Sequence, residues 1–230
     1  MRSARRTGAA RVAHAAVAGV AAMAAMAAMS GMAQADVDWQ TGMVTARGVG
    51  VANRAAPNPA TARGPARRLA EDAARRQLAA QVVALPLAGG GTVADRTKDA
   101  ATRTRLDRAV ADALVITAEL QTDGSWVLVM GVPTEAVRQA LVGARAITLG
   151  VKEAGPPVIV VDGFTSAPAI GWSIATVGAA TLHVTAIPAW AKGAPHAKVS
   201  AITAAEVTIA GSAGTPSTLF LLLSSSTPGR

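Results

Sequence analysis

The chain has 230 residues, 51% of them apolar and 16% charged, with 22 lysines and arginines against 14 acidic residues, no cysteine and no tyrosine. That apolar content excludes a chain too polar to collapse, and the missing cysteines exclude disulfides, thiol catalysis and thiolate metal sites. One or two small domains held by packing alone are expected.

The N-terminus comes first. Four arginines (Arg2, Arg5, Arg6 and Arg11) and five of the seven methionines fall in the first 35 residues, which hold no acid. Setting that stretch aside halves the formal net charge from +8 to +4. Behind the arginines an apolar run extends from Val12 to Met29, and the small-residue triplet Ala33-Gln34-Ala35 precedes Asp36. This order predicts a signal peptide over residues 1–35, cleaved after Ala35. The competing reading is an uncleaved anchor, because the run approaches the roughly 20 residues of a spanning helix, but its alanines favour membrane insertion only weakly. Arg5-Arg6 lacks the hydrophobic continuation of a twin-arginine signal, so general secretion to the periplasm or the exterior is expected. No cysteine follows the leader to carry a lipid, and the apolar run Leu219–Leu223 is too short to span a bilayer. A cell-envelope protein that is not membrane-spanning after cleavage is therefore predicted.

Behind the leader the composition shifts near residue 150. Residues 36–150 hold 14 basic and 11 acidic side chains, whereas 151–230 hold four and three. In the first part, Met43 to Ala52 alternates as a strand, with Met43, Thr45, Val49 and Val51 on one face. Asn53 to Pro65 carries three prolines and reads as a loop, with Pro65 opening a helix. From Ala66 to Leu85, the positions Ala70, Ala74, Leu78, Val82 and Leu85 form one apolar stripe opposite Arg68, Glu71, Asp72, Arg75 and Arg76. Pro86 and Gly89-Gly90-Gly91 end that helix. A second amphipathic segment from Lys98 to Leu114 repeats Leu106, Val110 and Leu114. Val115–Gln121 and Ser125–Val132 flank Thr122-Asp123-Gly124, a hairpin signal because glycine accepts the positive φ of the turn. Thr134 is placed to cap a short helix through Leu141.

This order predicts an α+β fold over 36–150: a small, three-stranded antiparallel sheet with two amphipathic helices packed on one face. Residues 151–230 read as a β-rich C-terminal region, with strands at Val158–Asp162, Trp172–Ala175, Thr181–Ile187, Ala197–Ile202, Glu206–Ala210 and Thr218–Leu223. Phe164, Trp172 and Trp190 are assigned to its core; exposed, the same aromatics would mark a docking surface.

The stretch Val44–Leu141 resembles the domain shared by the twenty-kilodalton surface lipoprotein family (the Lpp-twenty type) and the N-terminal domain of flagellar assembly protein T. The resemblance lies in ordered features: a strand ending Gly48-Val49-Gly50, the loop Asn58-Pro59-Ala60-Thr61-Ala62-Arg63, the alanine-rich helix, an arginine-bearing second helix, and the Asp123-Gly124 hairpin leading to Val132-Pro133. Val158-Ile159-Val160-Val161-Asp162 with Ser166-Ala167-Pro168-Ala169 is similar to a segment that trails this domain in envelope proteins. The chain departs from the pattern in lacking the lipidation cysteine and in Gly163-Phe164 after the aspartate. What the resemblance implies is an envelope protein acting by contact in surface or flagellar assembly, with other envelope or flagellar proteins as partners and no catalytic residue set.

Enzyme readings find little to assemble. Ser173 in Gly171-Trp172-Ser173-Ile174-Ala175 falls short of a nucleophile elbow; Glu206 is the one acid after it, and no histidine follows Glu206. A hydrolase using Ser173 is the enzymatic alternative. His14 leaves with the leader, so His183 and His196 remain, too few for a structural metal site, and His183 reads as a half-exposed strand residue. Gly48-Val49-Gly50 and Gly89-Gly90-Gly91-Thr92 lack the remaining residues of phosphate loops and read as backbone punctuation. Arg63, Arg67, Arg68, Arg75 and Arg76 lie close together but are interrupted by Glu71 and Asp72, with no aromatic interleaved. The net charge of +4 suits a weak attraction to anionic envelope polymers or lipid headgroups, and nucleic-acid binding is not expected. No catalytic, cofactor-binding or metal-binding residue is predicted.

Overall fold

The computed structural model describes residues 36–143, 157–211, 214–215 and 217–224. The expected signal peptide, the composition boundary near residue 150 and the polar tail from residue 225 lie outside the described residues. The elements in chain order are β1 (Asp36–Asp38), β2 (Met43–Gly50), α1 (Pro59–Ala84), α2 (Ala100–Ala111), β3 (Leu114–Leu120), β4 (Trp126–Pro133), α3 (Thr134–Val142), β5 (Val158–Phe164), β6 (Ser173–Ile174), β7 (Val177–Gly178), β8 (Thr181–Val184), β9 (His196–Thr203), β10 (Glu206–Ala210) and β11 (Leu219–Ser224). The fold is α+β, a four-stranded antiparallel sheet with helices followed by a larger, curled sheet.

The first sheet has the order β1-β2-β4-β3, one strand more than the sequence predicts. The added strand, β1, pairs Val37 with Val44 and is too short to show alternation by itself. α1 begins at Pro59, not at Pro65: Asn58 is its N-cap, and its side chain accepts the Ala60 amide at 2.6 Å. Proline at the first helical position fits because its missing N–H would be unpaired there, which leaves Pro65 inside the helix on an exposed side. The predicted stripe Ala70, Ala74, Leu78, Val82 and Leu85 is fully buried. Each large member contributes about 1.5–3 kcal/mol before chain entropy is counted.

β2 presents Val44, Ala46, Gly48 and Gly50 to that stripe, so the larger residues Met43, Thr45 and Val49 lie on the other face. The two glycines are packing devices instead of punctuation. A β-carbon on Gly48 would run into the Ala70 carbonyl oxygen and lie 2.7 Å from the Ala74 amide; one on Gly50 would strike the Ala66 carbonyl oxygen. Helix backbone thus rests directly on strand backbone.

Asp99 is the N-cap of α2, and its carboxylate accepts the Ala101 and Thr102 amides and the Thr102 hydroxyl. The Thr102 hydroxyl is the main cause holding that carboxyl below its ordinary value. Leu106 and Val110 are buried as predicted, but Leu114 is exposed in β3, because the helix stops at Ala111. Arg105 donates to the Ala140 carbonyl at 2.7 Å, tying α2 to the end of α3. Thr134 is the first residue of α3, not its cap; its amide donates to the Gly42 carbonyl at 2.8 Å.

The second sheet has the order β7-β6-β10-β9-β5-β11-β8 and contains all six predicted strands plus β7. β7 and β8 are its two edges, yet only Ala179 and Ala180 separate them in the chain. A link that short reaches only about 10 Å, so the sheet must curl until its edges approach. Inside the curl Ile159, Val161, Phe164, Trp172, Ile174, Val207, Phe220 and Leu222 form the core. Trp190 is not part of it, at 61% exposed. Two backbone bonds between residues 86–88 and Ile170, and a third from the His183 amide to the Trp39 carbonyl, join the second sheet to the first part.

Candidate functional site

Among the described residues β3 is the one strand exposed at every position. The hairpin turn at Asp123-Gly124 pairs β3 with β4 on one side, and among the described residues no strand pairs with its other side. All seven residues are exposed, among them Leu114 (57%), Val115 (45%), Ile116 (48%) and Leu120 (43%). Register places Leu114 and Thr117 on the face away from the helices, opposite Gly131 and Val129, and Val115 and Ala118 on the helix face. A bulge between Val115 and Thr117 adds Ile116 to the outer face, where it and Met43 close over Gly131. Val49, Val127 and Val129 continue this surface across the sheet. Its charged members are few: Arg47 and Glu119, with Asp38 at the far edge holding the Gln40 and Thr41 amides. An unpaired row of backbone donors and acceptors flanked by apolar side chains can accept a further strand.

A second feature surrounds His183. The ring points into the curled sheet and is 3% exposed, which corrects the half-exposed reading. Trp39 meets it edge-on at 5.6 Å and Phe164 at 5.3 Å, and Phe164 in turn packs on Trp172 at 5.2 Å. Nε2 lies 3.3 Å from the Ala169 carbonyl oxygen and 3.4 Å from its amide, while Nδ1 meets no partner among the described residues. Burial pushes the imidazole down to about 4, against a weaker opposing effect of the Ala169 bond. Beside the cage a shallow cleft is lined by Trp39, Thr134, Glu135, Arg138, Ile170 and Thr181. There the Arg138 guanidinium and Glu135 carboxylate pair at 2.6 Å.

The other singled-out residues fall elsewhere. Ser173 sits beside Glu206 in parallel register, its amide donating to Ala205, and it hydrogen-bonds to neither histidine among the described residues. His196 Nδ1 instead contacts the Asp162 carboxylate at 2.8 Å, a pairing missed because the acid precedes Ser173 in sequence and reaches the histidine across β5 and β9. Among the described residues no three metal-ligating side chains cluster. Glu71 pairs with Arg67 at 3.1 Å and Arg75 at 3.8 Å, so the arginine group is partly neutralised. Trp126, distant in sequence, brings an aromatic to this group after all, under the Arg67 guanidinium at 5.5 Å. No family model and no curated protein matches the chain. Among the described residues no helix is long and apolar enough to cross a membrane.

Proposed function

We propose that this is an exported cell-envelope protein that acts by contact, without turnover, in surface or flagellar assembly, and that β3 receives an extended segment of another envelope protein. The observation that carries this reading is the seven-residue strand exposed on both faces, with one edge unpaired among the described residues. Its chemistry specifies the occupant: a β-strand apolar on both faces, with a basic or neutral residue opposite Glu119, the only charge in β3. The leader pattern and the family resemblance supply the compartment. Polyanion binding draws less support, because Glu71 and Asp72 sit among the arginines. The Ser173 hydrolase draws less still, since both histidines are engaged elsewhere.

A photocrosslinking side chain at Thr117, used in intact cells, is expected to capture one envelope or flagellar protein through an extended segment. Ile116→Lys is expected to abolish that adduct while changing stability by no more than about 0.5 kcal/mol, as for an exposed site. Adducts only to a second copy of the chain, no adduct at all, or a hydrolase activity lost in Ser173→Ala would each overturn the proposal. N-terminal sequencing of protein from fractionated envelopes is expected to begin at Asp36; protein retaining Met1 in the cytoplasm would refute export.

A further inference from the structure

We propose that His183 is an acid-sensitive latch that holds the Trp39 turn against the curled sheet and releases it when the ring takes up a proton. The geometry makes one ring the meeting point of two parts of the fold. The His183 amide donates to the Trp39 carbonyl at 3.1 Å, the Trp39 ring lies edge-on to the imidazole, and Phe164 and the Ala169 backbone fill the remaining sides. A neutral ring is served by the single Ala169 contact. An imidazolium carries two N–H donors, and among the described residues Nδ1 has no acceptor. A charge left unpaired in an apolar cage is costly, so protonation drives the ring out, and its simplest exit displaces the half-buried Trp39 turn.

Among the described residues no neighbouring charge compensates. On the Trp39 turn, Asp38 is occupied with the Gln40 and Thr41 amides. On α3, Glu135 and Arg138 neutralise each other, and Arg138 extends toward the Gly178 carbonyl. On β5, Asp162 faces away from the curl and contacts His196. The segment Thr165–Trp172, β8 and β11 carry no charged side chain. Release would expose the Trp39 indole and open the cleft beside it.

The sign follows from proton linkage. The ring's folded value, about 4, lies below its ordinary 6.5, so the released state binds more protons between these limits. The latch is fully closed above about pH 6.5, and the open population rises up to about tenfold per pH unit down to about 4. The lowered carboxyls of Asp38, Asp95, Asp99 and Asp123 act in a separate window, below their ordinary 3.8.

Hydrogen exchange on the purified full chain between pH 7.5 and 4, corrected for intrinsic rates, tests the latch. Faster opening is expected at the His183 amide and residues 40–43 while β4 amides stay protected, and His183→Gln is expected to remove the pH dependence. Equal acceleration in β4, or an unchanged profile in His183→Gln, would overturn the proposal. Should that variant not fold, Trp39→Leu provides the second check by ring-proton NMR: removing the lid is expected to raise the titration midpoint of His183. An unmoved midpoint would refute the role of Trp39 as the lid.

Discussion

Alanine at Gly48 and Gly50 together is expected to cost a large part of the stability of the first sheet. Each new methyl group would enter the backbone of α1, at Ala70 and Ala74 for Gly48 and at Ala66 and Ala70 for Gly50. Flexible side chains at such a point could swing aside, but helix carbonyls and amides cannot move without displacing α1 from β2. Overpacking of this kind costs about 1–3 kcal/mol per site and occasionally more. Two such losses in one interface are serious for a domain whose whole stability is about 5–15 kcal/mol. Denaturant unfolding of the single and double variants measures this. Gly64→Ala in the same helix is the control: among the described residues nothing lies within 4 Å of the added β-carbon, and alanine is the better helix former by about 1 kcal/mol. Gly48→Ala and Gly50→Ala variants as stable as the parent would show that α1 does not rest on β2 as described.

Phe164→Ala is expected to destabilise the curled sheet by about 3–5 kcal/mol, the usual cost of removing a buried phenyl ring. Phe164 is buried at the end of β5, edge-on to both Trp172 and His183, so its loss leaves a cavity that neighbouring strands cannot fill without breaking pairing. Trp190→Ala, at a residue the sequence groups with Phe164 as core, is expected to stay within about 0.5 kcal/mol because that ring is exposed. Thermal or denaturant unfolding separates the two; a large loss from Trp190→Ala would place that ring in a core contact.

Much of the architecture is legible in the chain because local patterns and burial agree. The stripe Ala70–Leu85 reads as a helix face and is buried as one, and the Asp123-Gly124 hairpin forms where its turn chemistry puts it. β2 is legible as a strand, but which face is buried is not. Hydrophobicity favours the side bearing Met43 and Val49, whereas close approach of α1 selects the side bearing Gly48 and Gly50. Small residues here contribute through distance, a quantity that composition does not carry. β1 is three residues with an aspartate at each end, and only its partner β2 makes it a strand.

The candidate contact surface divides in the same way. Apolar alternation identifies the strand near residues 114–121, yet edge or centre is a property of pairing order, and the order β1-β2-β4-β3 is what leaves it open. His183 lies between Leu182 and Val184 in a pattern compatible with a half-exposed strand. Its burial comes from the curl of the sheet and from Trp39, more than a hundred residues earlier in the chain.

Residue periodicity, turn chemistry and the absence of cysteine by themselves determined the succession of helices and of the strands other than β1 and β7, the α+β class and the reliance on packing without covalent staples. The tertiary structure alone decided which strand face is covered, which edge is left open, and which histidine is caged and which meets a carboxylate. Periodicity is a property of neighbours along the chain, whereas coverage, edges and cages arise from residues far apart in sequence that only the folded backbone brings within contact distance.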